Sequence, residues 1–166
     1  VTHEAPMAEC IDVAMYEFDK VWQKCNKYSY PYDFQGCEKK QNNVTRVLTD
    51  IIPEYRKLGT PIGVQEWVEW QPAELPIPIR GIADLVYEDC VRDLKTASMQ
   101  PKANSSYNRQ LAVYALATNK LPYIDYVYTT SKLCELRTVE VTGIETIEKE
   151  LLKIANKMMR MLSMSS

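Results

Sequence analysis

The chain is expected to fold as an α/β domain, with a central mixed β-sheet and helices on its flanks. Three observations predict this. Two N-terminal segments repeat apolar residues every three or four positions, the spacing of a helix with one buried stripe. From about Ile62 the period drops to two, as in strands. A further helical pattern then separates two pairs of strand-like segments, which gives the order ααβββαββα and a mixed sheet.

The first helix is expected over 6–28, where Ala8, Ile11, Ala14, Met15, Phe18, Val21 and Trp22 form the stripe. The segment 29–37, with Pro31 and Gly36, reads as a loop. A second helix is expected over 38–58 on Val44, Val47, Leu48, Ile51 and Ile52, with Pro53 opening a fresh segment because proline lacks the N–H a continuing helix needs. Ile62 to Trp70 reads as a strand, and Trp67 and Trp70 as core or sheet-face packing. The prolines of 72–78 exclude a central strand there. Ile79–Tyr87 and Cys90–Thr96 read as a hairpin, Ser98–Ser106 as a polar loop and Ser106–Thr118 as a helix. Strands at Tyr123–Thr130 and Leu133–Val141 precede a final helix, Ile144–Leu162, whose stripe of Ile144, Ile147, Leu151, Ile154 and Met158 is expected to pack on the sheet.

With 166 residues, 46% hydrophobic and 25% charged, the chain suits one globular domain with a core of its own. A net charge of −2 gives no global basic signal, so nucleic acid would have to be met by a local patch. Five cysteines, without a CxxC pair, argue against a disulfide framework or a zinc site and for reduced thiols in a cytoplasmic protein. No apolar run approaches the roughly 18 residues of a membrane span.

The hairpin carries the chemistry. Folded on the two-residue connection Glu88-Asp89, it sets Val86 opposite Val91 and Asp84 opposite Asp93, with Lys95 on the same face. Like charges directly opposite destabilise a sheet. A divalent cation between the two carboxylates supplies a reason for them. The plainer alternative is a solvated hairpin edge, with Asp84 paired to Arg80 or Arg92. The next helix puts Tyr107, Gln110, Leu111 and Tyr114 on one face; Leu111, Tyr114 and Ala115 there are ordinary core spacing, and only Gln110 on that stripe is unexpected.

Gly81-x-x-Asp84, Asp93-x-Lys95-Thr96 and Gln110-x-x-x-Tyr114 together resemble the PD-(D/E)XK nuclease superfamily, and within it the RecB-like and phage-type exonucleases. The resemblance covers about Val64 to Leu116. It implies a restriction-endonuclease-like fold and Mg²⁺- or Mn²⁺-dependent hydrolysis of DNA, in repair, recombination or phage DNA processing. It assigns Asp84 and Asp93 as metal ligands, with the main-chain carbonyl of Leu94 as a further one. Lys95 would orient the attacking water or stabilise the developing charge, and Gln110 and Tyr114 would position the water, the lysine or the DNA backbone. Glu66, ahead of the hairpin, is the closer match to a glutamate that members often carry near the metals. A solvated strand face also accounts for it.

The relatives usually carry a histidine on an early helix. The only histidine here is His3, so the motif helix is expected to lie upstream of Val1. That departure motivates an alternative: a nuclease-fold module that binds DNA or assembles with other proteins without cutting. Lys102 and Arg109 are the expected DNA contacts, because their segment links the hairpin to the Gln110 helix. The expected partners are DNA and either a second copy of the chain or a recombination protein, in the cytoplasm of a bacterium or a phage-infected host.

Overall fold

The computed structural model describes residues 5–27, 34–97, 104–129 and 134–164. In chain order the elements are α1 (Met7–Lys27), α2 (Phe34–Lys57), β1 (Gly63–Trp70), β2 (Ile79–Val86), β3 (Cys90–Ala97), α3 (Ser105–Thr118), β4 (Leu121–Thr129), β5 (Cys134–Glu140) and α4 (Ile144–Ser163). This is the order the sequence predicts. The strands form one mixed sheet in the order β1-β2-β3-β4-β5, an α/β fold. No helix among the described residues is long and apolar enough to cross a membrane.

Two compact units divide the chain, and α1 and α2 belong to the first. The two helices pack against each other. Arg56, in the last turn of α2, donates to the carbonyl of Ala5 at the start of α1, so they run antiparallel. The structure differs from expectation at three places here. The second helix begins at Phe34, inside the segment expected to be loop, and it continues through Pro53. An interior proline costs a helix about 3 kcal/mol. Buried Ile51 on one side of Pro53 and Arg56 on the other anchor both halves, and this packing outweighs the lost hydrogen bond. Along α1, Ala8 and Val21 are exposed rather than buried.

The second unit carries the hairpin and α3. Tyr87 N–H donates to Cys90 O at 2.8 Å and closes the Glu88-Asp89 connection. A type I′ turn would need positive φ at both residues. Among the described residues, positive φ outside glycine occurs only at Gln65 and Asn119. The connection is instead tied to the start of β4: Leu121 N–H donates to Asp89 O at 3.1 Å, and Lys120 Nζ donates to Glu88 O. α3 starts at Asn104, whose side chain accepts from Ser106 N–H, and stops at Asn119, held left-handed with φ of 55°.

On β1, Val68 and Trp70 face the core beside Ala83, Leu111 and Ile124. Strand alternation therefore turns Trp67 outward, where it is 69% exposed; of the two tryptophans expected to pack, only Trp70 is buried. α4 packs against α3, with Ile144, Ile147 and Leu151 on the core. Ile154 and Met158, expected to pack as well, are exposed, because the contact is confined to the first half of the helix.

A buried ion pair crosses from β3 to β4. Arg92 Nη1 donates to both oxygens of Asp125 at 2.8 and 2.9 Å, Thr138 Oγ1 donates to Asp125 at 2.7 Å, and the guanidinium lies 4.9 Å from the Tyr123 ring centre. Removing one member of a buried pair leaves the other charge uncompensated. Asp125→Ala is therefore expected to lower the unfolding free energy by about 3–5 kcal/mol in urea. Glu69→Ala, which breaks the exposed Arg80–Glu69 pair, is expected to cost less than about 1 kcal/mol.

Candidate active site

Asp84 sits where the β1–β2 ladder skips a rung and the β2–β3 ladder ends, so the directly opposed Asp84–Asp93 pair expected from the sequence is not a ladder pair. Between β1 and β2 the pairs include Val64–Leu85 and Glu66–Ala83, and Gln65 and Asp84 between them are skipped. Between β2 and β3 the pairs are Leu85–Arg92 and Val86–Val91, the register expected from the two-residue connection. One step further the Asp84 side chain replaces the ladder. Its Oδ2 accepts from Leu94 N–H at 2.8 Å, and its Oδ1 accepts from Gln65 Nε2 at 2.6 Å. Arg80 and Arg92, the partners a solvated hairpin would give Asp84, pair with Glu69 and Asp125 instead.

Asp93 is 1% exposed. Lys95 Nζ lies 2.5 Å from its Oδ2, close enough for an ion pair. That ion contact is the partner of Oδ2, and it favours the charged carboxylate against the burial. α3 supplies the rest of the surroundings. Gln110 Nε2 donates to Asp93 Oδ1 at 3.1 Å, while Lys95 Nζ donates to Gln110 Oε1 at 3.3 Å. Gln110 Nε2 also donates to Tyr114 Oη at 2.6 Å, and Tyr114 Oη donates to Ile82 O at 2.6 Å. Lys95 Nζ stands 5.0 Å from the Tyr107 ring centre, a cation–π approach. Tyr107 and Gln110, at i and i+3 on one helix, thus meet the Asp93–Lys95 pair, and Tyr114 at i+7 holds Gln110.

Gly81 explains how α3 comes so close. A Cβ at this position would lie 2.6 Å from Tyr114 Cε1, so any larger residue would push the ring off the strand. Gln65 is the second special backbone position. Its φ of 52° places a non-glycine residue in the left-handed region, which costs roughly 1–2 kcal/mol. The kink folds Glu66 back, so that its carboxylate comes within 3.3 Å of where a Gly63 Cβ would sit.

Burial pushes the Asp93 carboxyl above its ordinary range; Lys95 opposes the shift and the Asp84 charge adds to it. Burial likewise raises the Tyr114 phenol, against the hydrogen bond from Gln110.

Of the residues singled out from sequence, the structure brings Asp84, Asp93, Lys95, Gln110 and Tyr114 together, and Leu94 joins them through its N–H. Glu66 is exposed and turned toward Gly63. Arg109 lies partly exposed on α3 and forms no ion pair among the described residues. Lys102 and His3 fall outside the described residues. Sequence reasoning missed Gln65, which has no composition signal for a left-handed position, and the lysine contact of Tyr107.

The donor set fits a hard divalent cation. Mg²⁺ takes one or two carboxylates and keeps several waters. Asp84 and Asp93 supply that number, and each Asp84 oxygen takes one donor and keeps a further acceptor site. Among the described residues no group of three or more His, Cys, Asp or Glu side chains is placed to hold a metal, so the pair would act without a third such ligand.

No family model matches the chain, and no curated protein matches it. Among solved structures, one named "Putative exonuclease", from Eubacterium rectale, superposes with a TM-score of 0.60 at 15% identity, over 96% of this chain and 67% of its own. That similarity shows the fold. A second, SSO0001, gives a TM-score of 0.42 at 13% identity, over 89% of this chain and 86% of its own, and carries no argument.

The raised Asp93 carboxyl has a consequence for stability. The folded chain holds this proton more tightly than the unfolded chain does. The resulting stability is present at acid pH and is lost as pH rises from the ordinary aspartate value of about 3.9 through the raised folded value. Urea unfolding in EDTA, followed upward from about pH 4, is expected to show the wild type losing stability relative to Asp93→Asn as pH rises. A pH-independent difference would contradict the assignment.

Proposed function

We propose that the chain is a Mg²⁺- or Mn²⁺-dependent DNA nuclease of the PD-(D/E)XK superfamily, RecB-like, and acts as an exonuclease. The observation that carries this is Asp93: a nearly inaccessible carboxylate ion-paired to Lys95 and held by Gln110, with a second aspartate beside it. A solvated hairpin edge has no use for that arrangement, since burying a carboxylate costs free energy even when it is paired. The name of the Eubacterium rectale protein supports the same activity class.

In this reading Asp84 and Asp93 hold the cation, with the Leu94 carbonyl as a further candidate oxygen; Glu66, turned toward Gly63, is not placed to join them. The cation supplies Lewis acidity toward a phosphoryl oxygen and the attacking water. Lys95, held between Asp93 and Gln110 and over Tyr107, presents a fixed positive charge to the reacting phosphate. Gln110 holds the lysine and Asp93 in one frame through the two ends of its carboxamide, and Tyr114 anchors that frame to Ile82 O. Lys102 and Arg109 are the proposed contacts to DNA phosphates, which makes binding weaken steeply with salt.

The test is cleavage of end-labelled linear and closed circular DNA in Mg²⁺, Mn²⁺ or EDTA. Degradation of linear DNA only, requiring metal and reduced at least about 100-fold in Lys95→Ala, is the expected outcome. Cleavage of circles would make the enzyme an endonuclease. Folded wild-type protein that binds DNA without cutting it would favour the non-cutting module.

A further inference from the structure

We propose that Gln65 is a positioning residue that fixes the Asp84 carboxylate in the orientation a divalent cation requires. The part concerning the cation rests on the nuclease reading; the part concerning Asp84 does not. Left-handed backbone at a glutamine is uncommon and unfavourable, and such residues persist where the surroundings hold them for a purpose. Here the purpose is visible in the geometry. Gln65 stands opposite Asp84 at the one skipped rung between Val64–Leu85 and Glu66–Ala83, and no shift of register accompanies it. Its carboxamide donates to Asp84 Oδ1 at 2.6 Å, while Leu94 N–H holds Oδ2 at 2.8 Å.

Two donors from opposite sides fix both oxygens of a carboxylate that is otherwise partly open to solvent. Each oxygen keeps a second lone pair, because a carboxylate has about four acceptor sites. Asp84 is thus oriented without being used up. An ordinary strand residue at position 65 would pair in the ladder with normal φ and leave Asp84 with the Leu94 donor alone. Hydrogen bonding of ligating carboxylates by neighbouring groups is a general means of tuning a metal site, and loss of such a partner commonly lowers affinity 10–100-fold.

The experiment compares wild type with Gln65→Gly, since glycine keeps the left-handed conformation without strain and removes only the carboxamide. In EDTA, hydrogen exchange at the Leu94 amide reports how firmly Asp84 is held. Exchange about tenfold faster in the variant is expected, with the Val91 amide on the same strand unchanged and the melting temperature unchanged or higher. Unchanged Leu94 exchange would overturn the proposal, and so would equal acceleration at Leu94 and Val91, which would mark a merely structural role. Titration with Mn²⁺ is then expected to show binding about tenfold weaker in Gln65→Gly. Equal affinity would overturn the link to the cation. A wild type that takes up no Mn²⁺ would overturn the nuclease reading and the cation part of this proposal together, while the Leu94 comparison would still decide whether Gln65 holds Asp84.

Discussion

The contact between Asp93 and Lys95 organises the second unit. A carboxylate with almost no exposure can be tolerated only if its charge is balanced, and the balance is supplied from two elements at once. β3 provides the lysine two residues on, at 2.5 Å, and α3 provides the Gln110 carboxamide, which touches both members of the pair. The helix must therefore lie close to the strands, and Gly81 is the residue that lets Tyr114 settle against β2. The ladder gap at Asp84 follows the same logic. Side chains replace main-chain pairing where the strand must present a carboxylate rather than a rung.

This arrangement differs in kind from the other buried charge pair. Arg92 and Asp125 share two hydrogen bonds and a third from Thr138, so the aspartate is well satisfied. Asp93 takes one hydrogen bond from Gln110 on Oδ1 and the Lys95 ion contact on Oδ2. One pair ties strands together. The other places a carboxylate and a lysine beside Asp84, and burial is what raises the Asp93 carboxyl.

Much of the fold was legible because it rests on period and spacing. The hairpin register came from a two-residue connection between alternating segments and holds at Val86–Val91. Helical spacing put Gln110 and Tyr114 on one face, and only the family resemblance pointed that face at the hairpin; in the structure Gln110 meets Asp93 and Tyr114 holds Gln110. What escaped depends on tertiary context. Pro53 lies inside a helix because packing on both sides overrides its local preference. The exposure of Trp67 follows from which face of β1 meets α3, which the sequence Trp67-Val68-Glu69-Trp70 leaves ambiguous. Gln65 was invisible for a deeper reason: glutamine is neither a turn former nor a left-handed residue by preference, so only the structure reveals its φ. The stripe of α4 was legible as apolar, but not where its packing would stop.

In the proposed nuclease, Asp84 and Asp93 would hold a divalent cation. Isothermal titration of Mn²⁺ into the wild type and into Asp93→Asn tests it most directly. The account predicts saturable binding by the wild type and affinity at least about tenfold weaker in the variant, whose fold should be intact by circular dichroism. Equal binding by both proteins, or no binding by a folded wild type, would contradict it.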